Sequence, residues 1–354
     1  MANETSSAQL KNHLQEMNSS LRDMQSSARL TDLRDRVEDL GGSVSGLDQR
    51  VQALRNKGYA FEKELEEQAV NFSKGWAEIA PGIEREISRE ASSLARSLGP
   101  LESQLAELSG AGGAPAMLLP RAEKLKTEVE TLEGKIEAIE ENIRGAYDQF
   151  QSDVSKMEYH LGRLEWMVTE LSEASFQLLA TESGIMAVKA VWAKKGKQSK
   201  GDPEGVLYLT DQRLIFEQKE KVATKKVLFI ATEKELVQET LWEVPVVLVE
   251  EAKSSKEGFL SKDDYLELTL DSRASMDMIH LHIWQRGDDW VALLNRAKAG
   301  DFDQTRAIPI NEDVLERVKN APTKCPSCGG AINQPILRGM ENLSCEYCGD
   351  VIRL

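Results

Sequence analysis

The chain of 354 residues is short of several things, and each shortage removes a class of function. Aromatic residues make up only 6%, thin for one large core, so about two to three smaller domains are expected. No run of 18 or more apolar residues occurs, so no membrane-spanning helix is predicted. The N-terminal MANETSSAQLKNHLQ lacks the basic start and apolar centre of a secretory signal, and a cytoplasmic protein is expected. Positive charge is in deficit. The net charge of -15 argues against general nucleic-acid binding, which draws mainly on cationic contacts with phosphates. No phosphate loop, nucleophile elbow, Cys-His pair or paired-carboxylate arrangement stands out, so no enzyme is predicted. Cysteine is confined to four residues near the C-terminus, in two C-x-x-C pairs. In a reducing compartment that pattern points to metal rather than disulfides.

What is present begins with uneven charge. Residues 182–300 and 301–354 each sum to -2, which leaves -11 on residues 1–181. Region 1–182 repeats apolar residues at spacings of three and four. Leu10, Leu14, Met17, Leu21, Met24 and Ala28 form one track; after a phase break it resumes at Leu30, Leu33, Val37, Leu40, Val44, Leu47, Val51 and Leu54. Past a polar interval it continues through Phe61, Leu65, Ala69, Phe72 and Trp76. A second block runs from Leu125 through Ile136, Ile143, Ala146, Phe150 and Val154 to Leu171, with a stutter at Phe150–Val154. A narrow apolar stripe of this kind predicts long helices that pair as a coiled coil. Gly41-Gly42 weakens the first stripe, and Pro81-Gly82 and Gly99-Pro100 signal kinks or turns. SGAGGAPAMLLP, residues 109–120, predicts a turn that folds the chain into an antiparallel helical hairpin. A spacer or dimerisation rod, and a homo-oligomer, are the expected roles.

In residues 183–300 the period changes to two. Residues 185–194, GVLYLT, RLIFE, KVLFIA, LWEVPVVLVEEA, YLELTL and MIHLHIW read as strands, and Thr210-Asp211-Gln212 as a tight turn. GDDWVALLNRAKAG then reads as a helix capped by Asp288, with Trp290, Leu293, Leu294 and Ala297 inward and Gly300 as its stop. Gly205, Leu207, Tyr208, Leu209, Thr210, Asp211, Arg213, Leu214 and Phe216 in GVLYLTDQRLIF resemble the central hairpin of GRAM domains, members of the pleckstrin-homology-like superfold. WEVPVVLVEEAKSSKEGF is similar to the strand pair that follows it, ending in Gly258-Phe259. The resemblance covers about a third of the chain, and implies a partly open β-barrel plugged by the terminal helix. It speaks to fold far more than to function.

That topology places two lysine-bearing connections at one rim. Residues 194–204 carry Lys194, Lys195, Lys197 and Lys200; residues 218–226 carry Lys219, Lys221, Lys225 and Lys226. The resemblance implies that such a rim meets a phosphorylated lipid head group or another anionic membrane surface. Against it, Asp202, Glu204, Glu217 and Glu220 dilute the charge, and no Arg offers bidentate phosphate capture. The alternative is a solvated loop. His280 and His282 share one face of a strand and are expected to be exposed positions of an amphipathic strand; His13 and His160 fall in helices.

Residues 301–323 read as a linker with one short helix, capped by Asn311 and ended by Pro322. In residues 324–354, Cys325, Cys328, Cys345 and Cys348 give C-x2-C-x16-C-x2-C, the strongest motif in the chain. Four thiolates at this spacing suit a structural, tetrahedral Zn²⁺, and Gly329 and Gly349 permit the tight knuckles. Iron remains the alternative ion. The segment resembles a zinc ribbon; such ribbons dock proteins or nucleic acid, but only Lys324, Arg338 and Arg353 stand out as basic here, so nucleic acid is the weaker option. The expected architecture is therefore a helical coiled coil, a GRAM/PH-like β domain with a C-terminal helix, and a small zinc ribbon. The expected function is a non-enzymatic adaptor with protein partners and a contact to anionic lipid. The alternatives are a protein-docking factor without membrane contact and, more weakly, a nucleic-acid-associated factor.

Overall fold

The structure, a computed structural model, describes residues 2–227, 230–257 and 263–354, with side chains described for residues 5–221, 236–256 and 263–354. Two compact units emerge, Met1–Asp48 with Glu67–Glu158, and Gln49–Glu66 with Tyr159–Leu354. Five long helices supply the first and part of the second: α1 (Ala2–Ser27), α2 (Thr31–Asn56), α3 (Leu65–Gly110), α4 (Pro115–Gly145) and α5 (Asp148–Glu173). No helix among the described residues is long and apolar enough to cross a membrane.

In the first unit the apolar stripes bury one another within one chain. Leu21, Met24, Leu33, Val37 and Leu40 of α1 and α2 join Ile87, Leu94 and Leu98 of α3 and Leu125, Val129 and Ile136 of α4 in one cluster. Gln25 bonds Glu102, whereas Gly41 lies against Trp76, so α3 runs antiparallel to α1 and α2. Trp76 stacks on Phe150 of α5 at 5.5 Å, and Glu16 pairs with Lys126 of α4 at 2.7 Å. A Cβ on Gly41 would sit 3.0 Å from Trp76 Nε1, so this glycine serves packing rather than a break. The phase break falls at residues 28–30, where Leu30 takes a positive φ of 52° and stays buried. The expected turn falls at residues 111–114, between α3 and α4.

Three expectations for the helices are corrected. Pro81 and Pro100 do not break α3, which runs through both for 46 residues, about 70 Å; packing on both sides offsets the lost backbone bonds. The second block is not one helix: it is interrupted at residues 146–147, and Tyr147 rather than Ala146 is buried. The first stripe does not continue as helix through Phe61. Tyr59, Ala60 and Phe61 are buried in an irregular segment of the second unit, where Phe61 meets Phe302 edge-on at 5.6 Å.

The second unit is built on seven antiparallel strands: β1 (Gly184–Trp192), β2 (Glu204–Thr210), β3 (Arg213–Val227), β4 (Ile230–Pro245), β5 (Val249–Glu257), β6 (Asp263–Leu270) and β7 (Met278–Ile283). Their order is β4-β3-β2-β1-β7-β6-β5, so β1 joins the two halves. Alternation sorts the faces. Leu207, Leu214, Phe216, Trp242, Leu266, Leu281 and Ile283 make the apolar side, on which Trp192, Phe216 and Trp242 form an aromatic cluster. Helix α6 (Gly287–Ala299) packs on β5 and β6 and buries Trp290, Leu294 and Ala297. It starts two residues earlier than expected: Arg286 is its N-cap, while Asp288 accepts a hydrogen bond from Ser254. Gly300 ends it in the left-handed region, as expected. KVLFIA is not a separate strand, because β3 and β4 form one long hairpin around it; Leu228, Phe229, Gly258 and Phe259 lie outside the described residues.

Two short helices follow, α7 (Asp301–Gln304) and α8 (Glu312–Lys319), the latter capped by Asn311 as expected. The C-terminal cysteine-bearing segment contributes β8 (Asn342–Ser344) and β9 (Val351–Arg353). Gly205 opens the hairpin motif for a steric reason, since a Cβ there would lie 1.9 Å from the Glu217 carbonyl oxygen. Gly205→Ala is therefore expected to destabilise the second unit by about 1–3 kcal/mol, read as a lower urea midpoint with an unchanged slope.

Candidate functional site

The four cysteines come together. Cys325 N–H donates to the Gly330 carbonyl and Gly329 N–H to the Cys325 carbonyl; Cys345, Asp350 and Gly349 repeat the pattern, all at 2.8 or 2.9 Å. Gly329 and Gly349 have φ of 72° and 73°, which side chains strain to adopt. The two knuckles bring Cys325 Sγ within 3.7 Å of Cys348 Sγ, and Cys328 Sγ within 3.6 Å of Cys345 Sγ. All four sulfurs lie within 4.8 Å of one another. Sulfurs about 2.3 Å from a tetrahedral zinc stand about 3.8 Å apart, so the donor set fits such an ion. Backbone N–H groups of Cys348 and Tyr347 draw the Cys345 thiol down to about 7. At Cys348 the Asp350 N–H works downward, but Cys328, burial and the other thiols raise the thiol to about 12. Four thiols this close do not all ionise without a cation among them.

The lysine loop joins β1 to β2. Registers Val191↔Glu204 and Gly205↔Gln218 put it at the same end of the sheet as the outer half of the β3–β4 hairpin. Positive φ at Gly196 and Gly201 shapes it, and Asp202 accepts from Ser199 N–H and Oγ. Lys194, Lys195, Lys197 and Lys200 are exposed, and none has an acidic partner among the described residues. Lys194 Nζ stands 4.9 Å from the Trp192 ring centroid. The other four lysines lie differently from expectation. Residues 218–226 are no loop; they continue β3. Lys219 Nζ is held by Glu170 at 2.8 Å and Glu173 at 3.0 Å, from the end of α5. Burial works against its charge, but the two carboxylates leave it more basic than usual. Lys221 is exposed on the strand, while the side chains of Lys225 and Lys226 lie outside the described residues.

The histidines share the face opposite the apolar side, as their alternation requires, yet His282 is not exposed. It is 9% accessible, between the rings of Tyr265 at 4.9 Å and Trp284 at 4.5 Å. Gln198 of the lysine loop reaches over it, Oε1 to Nδ1 at 2.6 Å, which removes the solvent that alternation alone predicted.

The residues that sequence reasoning missed lie at the other end of the hairpin. Glu182 accepts from Thr210 Oγ1 at 2.6 Å and from Arg213 Nε and Nη2 at 3.0 and 2.6 Å. Asp211 accepts from Ser183 N–H at 3.0 Å, from Arg306 at 3.0 Å and from Arg338 at 2.6 Å. Gln212 exchanges two bonds with the Arg338 backbone. Burial pushes the Asp211 carboxyl up despite the Ser183 bond and both guanidiniums, and it lowers Arg306. The hairpin motif named Thr210, Asp211 and Arg213, but nothing local in the sequence points to Glu182, Arg306 or Arg338 as their partners.

The second unit is a seven-stranded antiparallel sheet with a helix packed on β5 and β6. No family model matches the chain, and no curated protein does. Solved structures similar to it include a pleckstrin homology domain from Shewanella amazonensis, 18% identical over 38% of this chain and 96% of that one, with a TM-score of 0.23. A DUF1696 family protein with a pleckstrin-homology domain from Shewanella loihica is 16% identical over 39% and 91%, with a TM-score of 0.21. The DH/PH fragment of PDZRHOGEF in complex with human RhoA is 12% identical over 82% and 95%, with a TM-score of 0.25. Similarities at this level carry no argument about ligands or partners.

Two outcomes follow from the geometry. The wild-type chain should bind one Co²⁺ with the absorption of a tetrahedral thiolate site, and Cys328→Ser or Cys348→Ser should weaken metal binding at least about tenfold. Glu182→Ala leaves the buried Arg213 without its main partner, and should cost about 3–5 kcal/mol in urea unfolding.

Proposed function

We propose that the chain is a non-enzymatic adaptor whose lysine loop meets the anionic surface of a membrane, with a structural zinc in its C-terminal ribbon and a helical unit that spaces or presents protein partners. One observation carries this reading: Lys194, Lys195, Lys197 and Lys200 are exposed on one connection, without acidic partners among the described residues. Near an anionic bilayer each lysine contributes about 1 kcal/mol, so four amount to roughly a thousandfold in binding. A second copy of the chain would add avidity, although the stripes of α1 to α4 already bury one another without it.

A protein-docking role without membrane contact is favoured by a different feature. A groove of about 410 Å³ runs between α5 and the sheet, walled by Trp166, Val206, Leu236 and Trp284, and lined also by lysines and by Glu170, Glu204 and Glu220. Leu236 and Trp284 are 52% and 55% exposed.

Co-sedimentation with neutral and anionic vesicles, at low and physiological salt, separates the two. Binding to anionic vesicles alone, weakened by salt and lost when all four loop lysines become Gln, supports the membrane reading. Binding that ignores salt or survives the substitutions overturns it. Under the docking reading, partner capture survives those substitutions and falls with Trp284→Ala.

A further inference from the structure

We infer that the metal-bound ribbon is a clasp on the β2–β3 turn, so that metal occupancy decides whether residues 179–183 and 210–213 are held together. The inference rests on the four cysteines holding a metal, and adds what that metal does for the rest of the unit. Arg338 and Gly339 lie in the sixteen-residue spacer between the two knuckles. From there they engage three separate segments. The Arg338 backbone exchanges two hydrogen bonds with Gln212 of the turn. Its guanidinium bonds Asp211 at 2.6 Å and Asp303 of α7 at 3.2 Å. Gly339, at φ 81°, lies so close to the segment linking α5 to β1 that a Cβ would come within 2.7 Å of Ala180 N.

The ribbon has only a small core to hold that spacer: partly buried Ile332, Ile336 and Met340 of the spacer pack against it, and Gln334 donates to the Ser344 carbonyl. Its buried cluster is Cys325, Leu343, Cys345 and Ile352, of which two are metal ligands, and each of its strands is three residues long. Modules this small fold with their ion rather than before it. Both ends of the spacer are knuckles, so losing the ion frees both ends at once and unseats Arg338. Asp211, whose side chain is only 4% exposed, then keeps one guanidinium instead of two. A buried carboxylate stripped of a partner does not stay as it was; its turn opens to water.

The test is hydrogen exchange on the full chain, metal-loaded and chelated, with metal content measured on the same samples. Chelation should speed exchange of peptides covering residues 179–183 and 210–213 by at least about tenfold. Arg338→Ala should do the same with one metal still bound, and chelating that variant should add less than about twofold. Gly339→Ala lifts the clasp by sterics alone, and should reproduce the effect if Arg338→Ala does not fold. If the chain binds one metal and chelation leaves those peptides protected, the clasp is wrong and the metal site stands. If no metal binds at all, both fall.

Discussion

Much of the second unit is organised around two carboxylates that should not be buried. The side chains of Glu182 and Asp211 are 0% and 4% exposed, and an ion in such a place costs several kcal/mol unless it is paired and hydrogen-bonded. The pairing comes from Arg213 in the hairpin, Arg306 after α7 and Arg338 between the two cysteine pairs. Guanidinium forks are directional, so each pairing fixes an angle as well as a distance. Burial still pushes Asp211 up and Arg306 down, which means that the pairing does not fully offset the lost water. The junction therefore contributes arrangement more than net stability: linker, ribbon and hairpin have one way to meet.

Charge availability follows the same local logic. The chain is acidic overall, but what matters at the sheet's end is which carboxylates can reach which lysines. Glu170 and Glu173 close off Lys219, because the end of α5 lies over β3. Within the β1–β2 loop, Asp202 accepts from Ser199 N–H and Oγ. Gln198 ties the loop to His282, so the four exposed lysines, without acidic partners among the described residues, are presented from an anchored loop.

The sequence was most legible where one periodicity decides one burial pattern. The alternation in residues 205–216 predicted β2, β3 and their turn, and the spacing of three and four predicted the residues that fill the helical core. C-x2-C twice, each followed by Gly, predicted two knuckles whose sulfurs meet. It was least legible where an element's end depends on a distant neighbour. Pro81 and Pro100 read as breaks because only tertiary packing carries α3 through them. Lys219 read as a loop residue because nothing local shows that β3 continues to Val227. Phe61 fits a helical stripe by spacing, yet its partner is Phe302, 241 positions away in the sequence and invisible to any local pattern.

The hairpin motif can now be weighed as chemistry. Thr210 Oγ1 accepts from the N–H groups of both Gln212 and Arg213, which closes the turn. Asp211 receives two guanidiniums, Gln212 the ribbon backbone, and Arg213 pairs with Glu182 and Glu243. Tyr208 donates to the fully buried Glu217, which also accepts from Ser175 N–H and so seats the chain leaving α5. Every polar residue of the motif is spent on holding the unit together, and none is left facing a ligand. A resemblance carried by these residues thus speaks for the fold, and the polar side chains of the motif are committed to it rather than to a ligand.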